Sequence, residues 1–366
     1  MTTRHPSTFL NPDWIKLIRS EAGLAEKKGT LTEAQLELIY QEGWFNLFAP
    51  KKTSNAEISL PDALHLEEAL SWADGSLGWT VTLCGGAGWF GGFLDPELTD
   101  ILFSKRTVCL GGSGAPTGTA TKTQNGYRIS GRWKYATGAD HLTHFTANCI
   151  IKNGDGTVLE ENGETLILPF VFEKEEVSLI KDWNTIGLIA TASHSFEIHD
   201  LFVPSNRSFK IAAEALKVPR PIYQYPFLQF AEVTLAVNIS GMALHFVDCA
   251  GEIFSQKAAG NQLKDLRQKL LTEKLSEAEN KLSKARSHFY KIVNESWNMV
   301  MQNSTLPGHI LEQISLRSRN LAAISHEAVT TLYPLCGLAA ASPSSEINRV
   351  WRDIHTASQH SLLTFP

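Results

Sequence analysis

The sequence predicts an α+β fold built from three consecutive parts. Apolar residues recur at helical spacing over residues 1–106, short runs rich in Thr, Val and Ile occupy residues 107–212, and helical spacing returns over residues 213–366. The 366 residues, of which 43% are hydrophobic, are enough for roughly two or three domains with their own cores. We therefore expect a helical N-terminal domain, a middle β domain and a C-terminal helical bundle.

The N-terminal part is predicted to be mostly helix. Leu36, Ile39 and Tyr40 follow the three-and-four spacing of a helix face. Asp62 after Pro61 is suited to the first turn of another helix. These patterns place several helices before the first β signals.

One glycine-rich segment, Gly86–Gly91, matches the G-x-G-x-x-G fingerprint of dinucleotide-binding folds. That fingerprint requires a βαβ unit and an acidic residue about 20 positions later to hold the ribose. The corresponding region, Cys109–Gly112, carries no acid. We therefore interpret Ser76–Phe93 as a glycine-rich helix that packs closely against a neighbour or a cofactor.

The middle part is predicted to be a β domain because turn signals separate its alternating runs. Gln124-Asn125-Gly126 lies between two such runs and is typical of a hairpin turn. Asn153-Gly154-Asp155-Gly156 marks a second turn. Ser195–His199 alternates between buried and exposed residue types, as a half-buried strand does.

The C-terminal part returns to helix after the proline-rich segment Pro219–Pro226. An apolar stripe over Leu263–Ile292 is much longer than in an average globular helix and predicts a helix of a bundle. Pro307-Gly308 separates this helix from the next one, and Pro343 precedes a last helix.

Composition excludes several classes of function. A net charge of −5 with a pI near 6.2 provides no basic field for phosphate backbones, so nucleic acid is not an expected partner. The five cysteines stand singly, which favours neither a metal site nor a disulfide framework. No apolar signal core occurs near the N-terminus, and the most apolar later run is interrupted by polar and charged residues. We expect a cytoplasmic protein without a membrane partner.

The stretch Gly126–Phe145 resembles the flavin-facing β-hairpin of the acyl-CoA dehydrogenase superfamily. In that superfamily an aromatic residue and a Ser or Thr two positions later lie against the flavin ring. Tyr135 and Thr137 stand at those places. The segment before it resembles the family's flavin-binding strand and loop, which implies backbone contacts from Gly112 and Ser113.

The resemblance continues into the last two thirds of the chain. Asp182–Pro204 resembles the family's next strand pair, where Thr191 and Ser193 take the places of small hydroxyl residues near the cofactor. Asn348–His360 resembles the last helix, in which the pair Arg352-Asp353 recurs. The resemblance implies an acyl-CoA dehydrogenase fold, with a β-barrel or sandwich domain and a C-terminal four-helix bundle. It also implies FAD or FMN between these two domains, and a homotetramer formed by the bundles.

Two chemistries remain open within this superfamily. Dehydrogenases of the common type keep a catalytic glutamate shortly after the Arg-Asp pair, whereas Ser361 stands at that place and no acid follows Asp353. Glu232 or Glu252 could supply a non-standard base for an acyl-CoA dehydrogenase. A superfamily member that has lost catalysis and serves as an oligomeric binding protein is a further alternative.

The missing glutamate points to the two-component (group D) flavin-dependent monooxygenases of this superfamily. Gly131–Gly138 resembles the hairpin pattern of that branch, G-R-W-x-[FY]-x-[ST]-G. Trp351-Arg352-Asp353 is followed by His360, which also resembles that branch. Reduced flavin and O₂ then oxygenate a small apolar or aromatic substrate, and a separate flavin reductase is the implied partner. The resemblance makes His360 the predicted catalytic residue. A histidine suits this role because the ordinary pKa of its side chain lies near neutrality.

The expected substrate wall contains Trp79 and Trp183. Several relatives carry a second active-site histidine on the helix that corresponds to the glycine-rich segment. The nearest positions here, Cys84-Gly85 and Ala87-Gly88, hold none. We expect these small residues to make room for a bulky substrate.

Overall fold

The computed structural model describes residues 4–51, 57–259 and 265–364, and it confirms the predicted order of helical, β and helical parts. The first part contains longer helices joined by short 3₁₀ turns. These helices are α1 (Pro12–Lys28), α2 (Glu33–Glu42), α3 (Leu60–Ala73), α4 (Gly75–Gly88) and α5 (Pro96–Leu102).

Local signals explain where these helices begin. The Thr32 hydroxyl accepts the Gln35 backbone N–H while the Gln35 side chain accepts the Thr32 N–H, so a capping box starts α2. The glycine-rich segment is the helix α4, as expected, and nearly all of its residues are buried. A Cβ at Gly78 would overlap the backbone of Ser71 on α3, so glycine is required where these two helices meet.

The middle part forms one sheet of seven strands within the described residues. They are β1 (Leu110–Thr123), β2 (Gly126–Ala136), β3 (His144–Asn153), β4 (Gly156–Thr157), β5 (Ile167–Glu173), β6 (Ser178–Ile180) and β7 (His194–Pro204). The order is β4-β3-β1-β2-β7-β6, with β5 also paired to β3. The predicted turns at Gln124-Asn125 and Gly154-Asp155 are confirmed.

Two of the register shifts in this sheet lie near residues that the resemblance assigns to the cofactor. The parallel pairing of β1 with β3 shifts register between Ser113 and Gly118. The pairing of β2 with β7 shifts between Trp133 and Ala136, where Tyr135 has a φ of 67°. A positive φ is unusual for a bulky residue, so the hairpin is strained at the place where the resemblance expects a flavin contact.

The last part is a helical bundle around one central helix. Its helices are α6 (Pro221–Gln224), α7 (Phe227–Ala259), α8 (Asp265–Met301), α9 (Gly308–Cys336), α10 (Leu338–Ala341), α11 (Glu346–Ala357) and α12 (Ser361–Thr364). α7 packs against α3, α8, α9 and α11. It is long and apolar enough to cross a membrane, but 89% of its most apolar window is buried inside the protein, so it is a core helix.

The predicted apolar stripe on α8 is buried over part of its length. Ala278, Leu282, Ala285, Phe289 and Ile292 are in the core. Leu266 and Leu270 at the start of the helix are exposed, and Leu263 lies outside the described residues.

Candidate active site

A largely apolar cavity of about 290 Å³ lies where the three parts of the chain meet. Its walls come from α4, from β1 and β3, from the residue after β2, from the first turns of α7 and from the C-terminal end of the chain. The lining residues are Thr82, Leu83, Gly86, Ala87, Phe90, Gly111, Gly112, Ser113, Gly114, Thr137, Thr146, Ala147, Asn148, Pro169, Ile211, Phe227, Phe230, Ala231, Thr234, Leu235, His360 and Leu362.

The sheet side of the cavity exposes backbone. Gly112 and Ser113, both predicted cofactor contacts, line it where β1 leaves its regular pairing with β3. A Cβ at Gly112 would overlap the Thr146 carbonyl, so glycine is needed for this close approach. The Asn148 side chain donates to the Gly114 carbonyl at 2.8 Å and holds the irregular segment in place. Peptide groups in such a segment are free to bind a polar ligand.

Three hydroxyls form a directed chain that ends at the cavity. Thr191 donates to the Leu188 carbonyl at 2.8 Å, and its oxygen lies 2.7 Å from the Ser193 hydroxyl. The Ser193 oxygen lies 3.0 Å from the Thr137 hydroxyl. Because a carbonyl can only accept, the Ser193 hydrogen goes to Thr191 and the Thr137 hydrogen goes to Ser193. Thr137 therefore presents an acceptor to the cavity.

The Arg-Asp pair of α11 fixes the loop that carries this chain. Asp353 accepts the Leu188 N–H at 2.6 Å, and Arg352 donates to the Ile186 carbonyl at 2.8 Å. Burial, reinforced by the nearby Asp74 carboxylate, raises the pKa of Asp353 to about 8. The last helix thus positions Thr191 and Ser193, although neither lines the cavity in the described structure.

His360 lines the cavity between α11 and α12. Its Nδ1 accepts the Leu362 N–H at 3.4 Å, so a neutral ring carries its hydrogen on Nε2. Burial lowers its pKa below the usual value of 6.5, which favours the neutral form near pH 7. The side chain can therefore donate one hydrogen bond without carrying a charge.

The helical walls of the cavity are apolar. Gly86 and Ala87 on α4 face Phe230 and Ala231 on α7, and Phe227 lies at the mouth with 38% of its surface exposed. Across Ile211 and Phe227 lies a second cavity of about 560 Å³. Of the small residues singled out in the sequence, Ala87 lines the first cavity, whereas Gly85 and Gly88 lie against Trp44 and Ala49. Room for a bulky substrate stays a prediction.

Neither glutamate proposed as a dehydrogenase base belongs to this cavity. Glu232 is buried on α7, where Ser315 and Arg319 of α9 bind its carboxylate. Glu252 is exposed farther along the same helix. Among the described residues that line the cavity, no carboxylate occurs. The suggestion that Glu232 or Glu252 acts as the base is therefore not supported.

The predicted aromatic contacts lie outside the described lining of the cavity. Tyr135 is 68% exposed and makes an edge contact with Trp183 at 6.2 Å between ring centroids. The Trp183 indole donates to the Leu188 carbonyl, beside the hydroxyl chain. Trp79 is buried behind His360, 6.1 Å from its ring centroid. Contacts of these three residues with a cofactor or substrate stay predictions.

Several lining residues had no signal in the sequence. Thr82, Phe230 and Thr234 lie on helices whose residues are nearly all buried, so periodicity does not distinguish the face that meets the sheet. Asn148 is one polar residue within a strand. Their roles follow from the packing of α4 and α7 against β1, which no local pattern encodes.

Comparison with known proteins finds similarity to acyl-CoA dehydrogenases and to flavin-dependent monooxygenases. Residues 233–365 match the family described as acyl-CoA dehydrogenase, C-terminal domain. The indole-3-acetate monooxygenase of Pseudomonas putida is 23% identical over 94% of this chain and 87% of that protein. The flavin-dependent monooxygenase oxygenase subunit HsaA of Rhodococcus jostii is 22% identical over 95% of this chain and 92% of that protein.

A solved structure supports the same assignment at the level of fold. The HsaA monooxygenase from M. tuberculosis superimposes with a TM-score of 0.88, at 20% identity, over 99% of this chain and 96% of that chain. The hairpin, the long bundle helix α8 and the Arg-Asp pair of α11 stand in the order that the sequence predicted. Residues 233–365 thus match the acyl-CoA dehydrogenase C-terminal domain, and the whole chain has the acyl-CoA dehydrogenase fold.

Proposed function

We propose that this chain is the oxygenase component of a flavin-dependent monooxygenase that acts on a small apolar or aromatic molecule. The observation that carries the proposal is the apolar cavity with a neutral His360 and with no carboxylate in its described lining. A dehydrogenase needs a carboxylate base beside the flavin, whereas an oxygenase needs a dry cavity and a hydrogen-bond donor. The names of the similar proteins agree with this choice.

The residues of the cavity fit a reduced flavin, FAD or FMN. Peptide groups around Gly112 and Ser113 would bind its polar edge, and Thr137 would accept a hydrogen bond from the N5–H that only the reduced ring carries. Bound reduced flavin supplies the electrons that activate O₂. Tyr135, with its exposed ring, would cover part of the flavin from the hairpin side.

The substrate side of the cavity would be aromatic. Phe90, Phe227 and Phe230 offer ring faces and edges, and His360 would donate to an oxygen or nitrogen of the substrate. Trp79 would hold the His360 ring from behind, and Trp183 would extend the wall near Tyr135. The indole-3-acetate of the named relative is of a suitable class: a flat, largely apolar ring system with one polar group.

The proposal includes partners and an assembly. An oxygenase subunit requires reduced flavin from another protein, so a separate flavin reductase is the expected partner. Exposed Leu266 and Leu270 on α8 would be covered by a second bundle in a homotetramer. The expected compartment is the cytoplasm.

The decisive experiment supplies the purified chain with chemically reduced FAD or FMN, ¹⁸O₂ and a panel of indoles and phenols. We expect a hydroxylated product that carries one ¹⁸O atom, at a rate that depends on reduced flavin. A parallel assay offers acyl-CoA esters and an artificial electron acceptor. Acceptor reduction by an acyl-CoA, with no ¹⁸O incorporated into any aromatic compound, would overturn the proposal in favour of a dehydrogenase.

A further inference from the structure

Two neighbouring glutamates of α3 are completely buried but have very different surroundings. Glu68 is saturated: Arg286 of α8 binds both of its oxygens at 2.8 and 2.7 Å, and Tyr290 and Ser240 donate to them as well. Glu67 has no side-chain surface exposed, and neither of its oxygens has a partner with normal hydrogen-bond geometry among the described residues. Arg286, a buried cation of α8, is paired with Glu68.

The surroundings of Glu67 favour the protonated carboxyl. Ionising a buried carboxyl without a compensating cation or hydrogen-bond donor is unfavourable. Complete burial accordingly raises the pKa of Glu67 well above its ordinary value. The Thr82 hydroxyl lies near the Glu67 carboxyl, and this contact partly offsets the rise in the Glu67 pKa. The contact does not have the full geometry of a hydrogen bond.

Thr82 connects this carboxyl to the cavity. Thr82 is one of the residues that line the cavity, and its oxygen accepts the side-chain N–H of Asn238 at 2.7 Å. The orientation of that amide is fixed because its nitrogen also donates to the Thr234 carbonyl at 3.1 Å. Among the described contacts, no acceptor takes the Thr82 hydrogen.

We propose that Glu67 is a positioning residue whose carboxylic acid donates to the Thr82 oxygen, so that the Thr82 hydroxyl donates into the cavity to a flavin carbonyl oxygen. The Thr82 oxygen then accepts from Glu67 and Asn238, and its own hydrogen points at the ligand. In this arrangement Thr137, the residue after β2, is the acceptor and Thr82 on α4 is the donor. Were Glu67 ionised, the Thr82 hydrogen would turn back to the carboxylate and the cavity would lose this donor.

The inference rests on the proposed flavin-binding function, and two variants of Glu67 test it. Glu67→Gln keeps an N–H donor toward Thr82, whereas Glu67→Met keeps the shape without any donor. Replacing a buried, unpaired carboxyl by an apolar group of similar shape is close to neutral for folding. Thr82→Val removes the hydroxyl itself. Thr80→Val is the matched control, because Thr80 is a buried threonine of α4 whose hydroxyl bonds Ser76 and which does not line the cavity.

The first readout is the dissociation constant of oxidised FAD and FMN, with the visible absorption maximum of the bound flavin. We expect Glu67→Met and Thr82→Val each to weaken binding about five-fold and to shift the maximum alike, as loss of one hydrogen bond does. The double variant should be no weaker than either single one. Glu67→Gln and Thr80→Val should match the wild type. The inference would be overturned if the fold-changes in the dissociation constant multiplied in the double variant. It would also be overturned if Glu67→Met bound flavin as tightly as the wild type.

The second readout is independent of flavin. An infrared difference spectrum between the wild type and Glu67→Gln should contain the carbonyl stretch of a protonated carboxylic acid near neutral pH. A carboxylate band in its place would also overturn the inference. If the wild type binds neither FAD nor FMN, the proposed function fails, while the infrared result still reports the state of Glu67.

Discussion

At the scale of single residues, the site depends on the direction of hydrogen bonds more than on the presence of polar groups. His360 offers a hydrogen on Nε2, Thr137 offers lone pairs, and no described lining residue offers a negative charge. The hydrogen on His360 is directed by the Leu362 N–H at the cavity wall, and the hydrogen on Thr137 is directed by Ser193 outside the lining. Substitutions of the lining residues and of these neighbours therefore have separable effects.

We predict that His360→Ala leaves folding and flavin binding intact and lowers hydroxylation by about 10²-fold, the usual scale for a general acid or base. Reduced flavin should then release H₂O₂ without product, because the donor that holds the substrate in place is lost. His355→Ala is the control, since His355 lies on the same terminal segment, with its ring centroid 4.2 Å from that of Trp351 and outside the cavity lining. Equal coupling of O₂ to product in both variants would refute a catalytic His360.

We predict that Thr137→Val weakens binding of reduced flavin by about five-fold, the value of one buried hydrogen bond. Oxidised flavin should be affected less, because its N5 has no hydrogen for Thr137 to accept. Thr123→Val at the exposed end of β1 is the control in the same hairpin. Titration of each variant with both redox states of the flavin measures the difference, and identical constants for all variants would remove the hairpin assignment.

At the scale of elements, the link between α11 and the loop before β7 determines where the hydroxyl chain lies. Asp353 accepts the Leu188 N–H, and Leu188 has a left-handed conformation with a φ of 52°. That strained backbone is held in place by a helix from the other end of the chain. The recurrent Arg-Asp pair therefore connects the bundle with the β domain.

We predict that Asp353→Ala lowers the free energy of unfolding by about 1–3 kcal/mol, because it leaves a buried N–H without a partner. Asp353→Asn keeps the acceptor and should resemble the wild type at acid pH, where the Asp353 carboxyl is protonated in both the folded and the unfolded chain. The folded-state pKa of about 8 is raised above the unfolded value, so the wild type loses stability as the pH rises toward 8. Asp353→Asn should not show this loss. Denaturant titrations from acid to alkaline pH distinguish the variants.

At the scale of the whole molecule, buried histidines make the fold sensitive to acid. Burial lowers the pKa of His141 to about 4, while its Nε2 lies 2.8 Å from the Thr30 hydroxyl in the contact between the first helices and the sheet. The unfolded chain binds this proton at a higher pH than the folded chain does. Stability is therefore present above the ordinary histidine pKa and is lost as the pH falls toward 4.

We predict that the wild type loses up to about 3 kcal/mol from this one histidine between about pH 6.5 and pH 4. His141→Gln should remove most of that dependence, because glutamine can bond Thr30 without titrating. Thermal unfolding of both proteins over this range is the measurement. His199→Gln is the control at an exposed histidine of β7. A pH dependence unchanged by His141→Gln would contradict the prediction.

We also predict, at the scale of the whole molecule, that the chain forms a homotetramer. On α8, Leu266 is 82% exposed and Leu270 is 45% exposed. Covering these apolar side chains with a second bundle would remove them from water. Sedimentation at micromolar concentration should give four times the 40.4 kDa of one chain. Replacing both leucines by lysine should reduce the mass, whereas a wild-type monomer of 40.4 kDa would contradict the assembly.

The sequence by itself determined the order of the parts, the hairpin turns, the helical nature of the glycine-rich segment, and the placement of His360 after Arg352-Asp353. These features depend on residues close together in the chain, where spacing and turn chemistry have direct structural consequences. His360 proved to line the cavity, with a pKa lowered by burial.

Only the tertiary structure decided which groups meet. Glu232 was a candidate base until α9 supplied its partners, and Glu67 gave no signal until α4 placed Thr82 beside it. Trp79 lies behind the catalytic candidate rather than on the described wall. The physical reason is that the charge state of a buried carboxyl and the direction of a hydroxyl depend on partners from distant parts of the chain. Those partners become neighbours only when the helices pack against the sheet.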